Sequence, residues 1–127
     1  MQKRPSVIIK IPHGSRVLLL EDSDLRIASF VKRIPDLVVA TSVDEAIAKL
    51  VDGPFDLMFL DHDLGLLDYA GVETETSGLQ FAKHLAATGF VASTVVIHSW
   101  SSVGSAAMKN CLQDAHVIPF GKFEING

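Results

Sequence analysis

Short continuous apolar runs alternate along the chain with segments whose apolar residues recur every three to four positions. The runs fit strands buried on both faces, and the longer period fits amphipathic helices. Residues 16–20 (Arg-Val-Leu-Leu-Leu) end at Glu21 and Asp22 and predict a first core strand. Ser23 or Asp24 can cap the next segment, where Leu25, Ile27, Ala28, Val31 and Ile34 keep helical spacing until Pro35 stops it. Residues 37–40 predict a second strand. Ser42-Val-Asp-Glu45 has the form of a capping box, with Ala46, Ile47 and Leu50 as the inward stripe and Gly53-Pro54 as the stop. Residues 57–60 predict a third strand that runs into Asp61-His62-Asp63. A long polar loop, about Leu64 to Thr76, leads to a helix opened by Ser77, with Leu79, Ala82, Leu85 and Ala86 inward and Gly89 at its end. Residues 94–97 predict a fourth strand delivering His98, Ser99 and Trp100. Ser101 or Ser102 caps a helix to about Gln113, and residues 116–120 predict a fifth strand.

Strand and helix alternate throughout, which predicts an α/β fold: a parallel sheet with helices on both faces. Ligands of such sheets bind beyond the carboxyl ends of the strands, at the topological switch point. Residues 1–127 suit one domain: an extension over 1–15, a core over 16–122 and a tail over 123–127. Two features are unusual. Only the seven residues 121–127 follow the fifth strand, too few for a closing helix, and an extra apolar segment, Val7 to Ile11, precedes the first. Either that segment covers the face left bare, or a partner does, a second copy of the chain or another protein.

Composition narrows the classes. At 48% hydrophobic and 20% charged residues the chain is globular. A net charge of -4 with scattered Lys and Arg excludes non-specific DNA binding. The single Cys111 excludes an internal disulfide, and its apolar helical setting marks it as a small core residue. No run approaches the roughly 20 apolar residues of a membrane span, and the N-terminal apolar run is too short for a signal peptide. Membrane association is not expected, and a cytoplasmic location is. The chain has no G-x-x-x-x-G-K-[ST], G-x-S-x-G or C-x-x-C, which argues against a P-loop enzyme, a typical serine hydrolase and a thiol zinc site.

The candidate chemistry follows the strands. Glu21 and Asp22 end one, and Asp61 and Asp63 flank the end of another. Carboxylates brought together repel unless a cation lies between them, and hard oxygens suit Mg²⁺. The alternative is a set of solvated loop acids that help to cap helices. His62 and His98 stand beside these acids, either as general acid or base, as ligands that would bring in Mn²⁺ or Zn²⁺, or as structural residues. Ser99 offers a hydroxyl near the same place, and Lys122 is the lysine best placed for a phosphoryl group. Trp100 can stack on a ring or pack under the long loop.

With VLLLEDSD, MFLDHDLG, VVIHS and Lys122, residues Arg16 to Lys122 resemble a bacterial response-regulator receiver domain. The resemblance implies a flavodoxin-like sheet of order 2-1-3-4-5, with Mg²⁺ at Glu21, Asp22 and Asp61. It also implies phosphoryl acceptance on Asp61, contacted by Ser99 and Lys122. His62, His98, the long loop, the missing helix and the late lysine depart from receivers. They are similar instead to a divergent branch, the predicted cyclic-phosphate-processing receiver-like domains, through LDHDLG, HSW with Val103-Gly104 and Met108, and PFGKFE. Three functions follow as expectations. One is metal-assisted binding or processing of a phosphate ester, a cyclic phosphate or an RNA end, with catalytic Asp61, His98 and His62, metal at Glu21, Asp22, Asp61 and Asp63, and phosphate at Ser99 and Lys122. The second is a signalling receiver phosphorylated on Asp61. The third is an interaction domain only.

Overall fold

A computed structural model describes residues 7–64, 77–89 and 92–126, so the expected loop beyond Leu64 lies outside the described residues. In chain order the elements are β1 (Val7–Lys10), β2 (Val17–Leu20), α1 (Asp24–Arg33), β3 (Val38–Ala40), α2 (Val43–Leu50) and β4 (Leu57–Leu60). They continue with α3 (Gly78–Thr88), β5 (Thr94–Ile97), α4 (Ser102–Cys111), β6 (His116–Val117) and β7 (Phe123–Asn126). Five strands form a parallel sheet of order β3-β2-β4-β5-β6, the expected receiver order. No described helix is long and apolar enough to cross a membrane.

Alternation along the strands builds two cores. Leu18, Leu20, Met58, Leu60, Val95 and Ile97 share one face with Phe81, Leu85 and Met108 from α3 and α4. Val17, Leu19, Leu57, Phe59 and Val96 point to the other, against Phe30 and Ile34. Each fully buried Leu, Ile or Phe contributes roughly 1.5–3 kcal/mol.

The second face answers the question of the missing helix. β7 pairs in parallel with β1, Val7 beside Phe123 and Lys10 beside Asn126. Ile9, Ile11, Phe123 and Ile125 from this two-stranded sheet pack on the Val17–Phe59 core. Residues 123–126, expected as a tail, are therefore a strand. Together with the N-terminal segment, the first of the two expected covers, they cover that face.

Smaller differences have local causes. The inward residues of α1 and its C-cap are Ile27, Phe30 and Ile34, spaced by three and four. Leu25, 86% exposed, and the exposed Ala28 and Val31 lie on the far side of the helix. Ala86 of α3 is exposed, and Phe81 takes the core position. Ser42 accepts from Glu45 N at 3.1 Å, but Glu45 reaches back to Thr41 N at 3.0 Å, one residue beyond a capping box. α4 stops at Cys111, and only His116–Val117 of the expected fifth strand is paired.

Candidate functional site

Strand register assembles the site. Leu20 lies beside Leu60, and Leu60 beside Ile97, so Glu21, Asp61 and His98 leave three adjacent strands at one level. Each continues the ladder by one bond. Glu21 N donates to Ala40 O at 3.0 Å, Asp61 N to Leu20 O at 3.0 Å and His98 N to Leu60 O at 2.9 Å. One ligand atom from each of Glu21, Asp61 and His98 lies within 4.8 Å of the others, and all three residues are buried.

Glu21 is held from several sides. Its Oε2 accepts from Asp22 N at 3.0 Å and Ser23 N at 3.1 Å, where α1 begins. Its Oε1 lies 2.9 Å from His98 Nε2 and 3.7 Å from Arg26 Nη1. Burial pushes the Glu21 carboxyl up, but the bonds from His98 and Ser23 N outweigh it and leave its pKa below the usual value. Burial pushes His98 down against the pull of Glu21, and toward a carboxylate oxygen its Nε2–H is the donor. Asp61 bears the opposite shift. Burial, then the Glu21 charge, raises its carboxyl to about 7. Its Oδ1 accepts from His62 N at 2.9 Å. Asp22 is raised by burial and by Glu21 as well.

A cavity of about 240 Å³ opens over these acids, lined by Glu21, Asp22, Ser23, Arg26, Asp61, Asp63, Ser99 and Trp100. Asp22, Asp63 and Ser99, singled out from the sequence, thus share one cavity with Glu21 and Asp61. Ser99 Oγ accepts from Ser101 N at 3.0 Å. His98 is 0% exposed and sits behind Glu21, with its ring 5.3 Å from that of Phe30. His62 is also outside the lining. Its Nδ1 lies 2.7 Å from Asp63 Oδ1, and its ring packs so closely on Gly104 that a Cβ there would meet His62 Cγ at 2.3 Å. Lys122 is exposed and outside the lining, with Nζ 6.0 Å from the centre of the Trp100 ring. The cation that does line the cavity is Arg26, which sequence reasoning passed over. Its guanidinium carbon lies 5.2 Å from the Phe120 ring centre. The available signal was its place in the first turn of the helix capped by Ser23, which opens at the same strand end.

Two buried carboxylates, one ionised and one holding its proton near neutrality, form a site that a divalent cation would suit. His98 Nδ1 has no hydrogen-bond partner among the described residues. A metal-bound imidazole normally gives its other N–H to an acceptor, so this ring is better suited to support Glu21 than to ligate.

Residues 16–114 match the family described as the cyclic-phosphate processing receiver domain. The fold is similar to a CheY-like receiver domain from Methylobacillus flagellatus, with a TM-score of 0.63 and 18% identity over 84% of this chain and 86% of that one. It is similar to the response regulator TrrA from Thermotoga maritima, solved in complex with Mg²⁺-BeF, with a TM-score of 0.62 and 19% identity over 84% and 89%. It is also similar to the Mn²⁺-bound response regulator Rcp1, at 0.59 and 14% over 83% and 81%. No curated protein matches at a significant level.

Proposed function

The chain belongs to the family of cyclic-phosphate processing receiver domains, and on that premise we propose that its strand-end cavity holds a divalent cation and takes a phosphate ester, a cyclic phosphate in particular. The observation that carries this reading is the buried pair of Glu21 and Asp61, with ligand atoms within 4.8 Å of each other, in one cavity with Asp22 and Asp63. Glu21 and Asp61 would hold the cation, with Asp22 and Asp63 at the mouth. With His98 behind Glu21, the donors are oxygens, which favours Mg²⁺, then Mn²⁺, over Zn²⁺. When bound, the cation supplies charge that offsets the phosphate's and polarises a phosphoryl oxygen.

The chain's own groups divide the remaining work. Arg26 and the Ser99 hydroxyl bind phosphate oxygens inside the cavity, and Lys122 approaches from beyond Trp100. His98 keeps Glu21 ionised and fixed, and so acts through it. Proton transfer falls to Asp63, which lines the cavity and is backed by His62 at 2.7 Å. The test is phosphorus NMR of a nucleoside 2′,3′-cyclic phosphate with the protein and Mg²⁺ or Mn²⁺. Turnover that disappears in Asp61→Asn supports the reading. Neither binding nor turnover with either metal overturns it.

One observation favours a second reading. Asp61 ends β4 next to β5, which delivers Ser99, as the acceptor and hydroxyl do in receivers. Here a carboxylate oxygen of Asp61 attacks phosphorus, the donor's P–O bond breaks and an acyl phosphate remains. Incubation with acetyl phosphate and Mg²⁺, read by intact mass, separates the two. A stable adduct on Asp61 without cyclic-phosphate turnover favours the receiver. Neither adduct nor turnover leaves an interaction domain.

A further inference from the structure

Trp100 is the only tryptophan of the chain, and it is 57% exposed. Tryptophan is highly buried on average, so a half-open indole on a loop needs a reason. Here the ring is exposed yet held in place. Its Nε1–H donates to Phe120 O at 2.9 Å. The backbone on either side is pinned too: Phe120 N donates to His98 O at 2.9 Å, Ser101 N to Ser99 Oγ at 3.0 Å, and Ser101 caps α4 by accepting from Gly104 N at 3.1 Å. The same ring lines the cavity over Glu21 and Asp61. Lys122 Nζ lies 6.0 Å from its centre, within reach of a cation–π contact and of an anion beside the ring.

We infer that Trp100 is a stacking platform for a nucleobase, which makes the substrate a nucleoside cyclic phosphate rather than the cyclic phosphate of a simple sugar or polyol. The inference rests on the phosphate reading of the neighbouring cavity and adds the other half of the ligand. A planar base gains by lying on an indole that is already immobilised, because little further ordering is needed on binding. The phosphate then reaches the cavity where Arg26 and Ser99 stand, and Lys122 neutralises charge between the two. A ligand without a base leaves the indole in water and has no use for it. The net charge of -4 and the scattered basic residues give a longer RNA no track to follow, so the free nucleotide is the ligand this surface fits.

Two ligands test this in the presence of Mg²⁺: adenosine 2′,3′-cyclic phosphate and the methyl riboside 2′,3′-cyclic phosphate, which has the same ring phosphate and no base. Binding is read by calorimetry and by the fluorescence of the single tryptophan. The nucleotide should quench Trp100 and bind about 5- to 100-fold more tightly than the riboside. Trp100→Ala should abolish that preference, and Trp100→Phe should retain part of it. Equal affinity for the two ligands, unaffected by Trp100→Ala, would overturn the inference and leave the phosphate reading standing. Failure of both ligands to bind would overturn the phosphate reading and the inference with it. An oligonucleotide ending in the same cyclic phosphate and binding more than tenfold more tightly than the mononucleotide would overturn the choice of a free nucleotide.

Discussion

Replacing Asp61 by Asn should stabilise the protein in the absence of divalent ions. The Asp61 carboxyl titrates at about 7 in the fold, against an ordinary 3.8. A raised folded value means that the native state holds a proton the unfolded chain has released. Stability is then full below the unfolded pKa and falls as pH rises through the window from about 4 to 7. Three pKa units at 1.36 kcal/mol each make the full cost about 4 kcal/mol. Asn cannot ionise and keeps the geometry: its Oδ1 can still accept from His62 N, and its amide can donate to Glu21. At pH 8 in EDTA, Asp61→Asn should therefore melt about 5–15 °C above the parent, and at pH 4 the two should converge. Adding Mg²⁺ should raise the parent's melting temperature and leave the variant's unchanged, since a ligand stabilises only the state that binds it. Calorimetric melts at both pH values, with EDTA and with Mg²⁺, provide the check. A variant no more stable than the parent at pH 8 would refute the claim that the buried acids repel. An equal Mg²⁺ response in both would refute Asp61 as a ligand.

The acidic site was legible because each core strand is a continuous apolar run whose end is marked by acid or histidine. Once three parallel strands pair in register, those ends must meet, and Glu21, Asp61 and His98 follow Leu20, Leu60 and Ile97 at one level. Side-chain direction was not legible. That His98 lies behind Glu21, and that His62 turns onto Gly104, depends on packing between segments far apart in sequence. Arg26 was missed for a related reason, because an isolated arginine on a polar helix face usually means solvent exposure. The phase of α1 was ambiguous while five apolar residues were spread around it, and the large Phe30 settles it by filling the space against Phe59, ring centres 4.9 Å apart. β7 gave almost no local signal. Phe-Glu-Ile-Asn alternates for only four residues, and its partner β1 lies at the other end of the chain. The N-terminal half of the cover over this face could therefore be recognised from sequence, but the C-terminal strand paired to it could not.

Further outcomes follow from particular contacts. His98→Ala should weaken Mg²⁺ binding about 10-fold or more by releasing Glu21, and His98→Gln, which can still donate, should recover part of the loss in calorimetric titration. Gly104→Ala should destabilise the protein by about 1–3 kcal/mol because its Cβ would meet the His62 ring at 2.3 Å; in urea melts the penalty should shrink once His62 is also replaced by Ala. The C-terminal strand gives the last test. Phe123 stacks on Phe59 with ring centres 5.6 Å apart and lies 6.0 Å from Phe30 and 6.4 Å from Phe120, so its side chain joins β7 to the sheet, to α1 and to the loop that holds Trp100. Phe123→Ala removes a half-buried ring and its aromatic pairing, a loss of about 2–4 kcal/mol. Because β1 is paired to β7, the variant should also lose amide protection over residues 7–10, uncover the Val17–Phe59 core and bind a hydrophobic dye. If residues 123–127 were only a tail, the urea midpoint, the exchange of residues 7–10 and the dye signal would all match the parent, and the claim that this strand substitutes for a closing helix would fall.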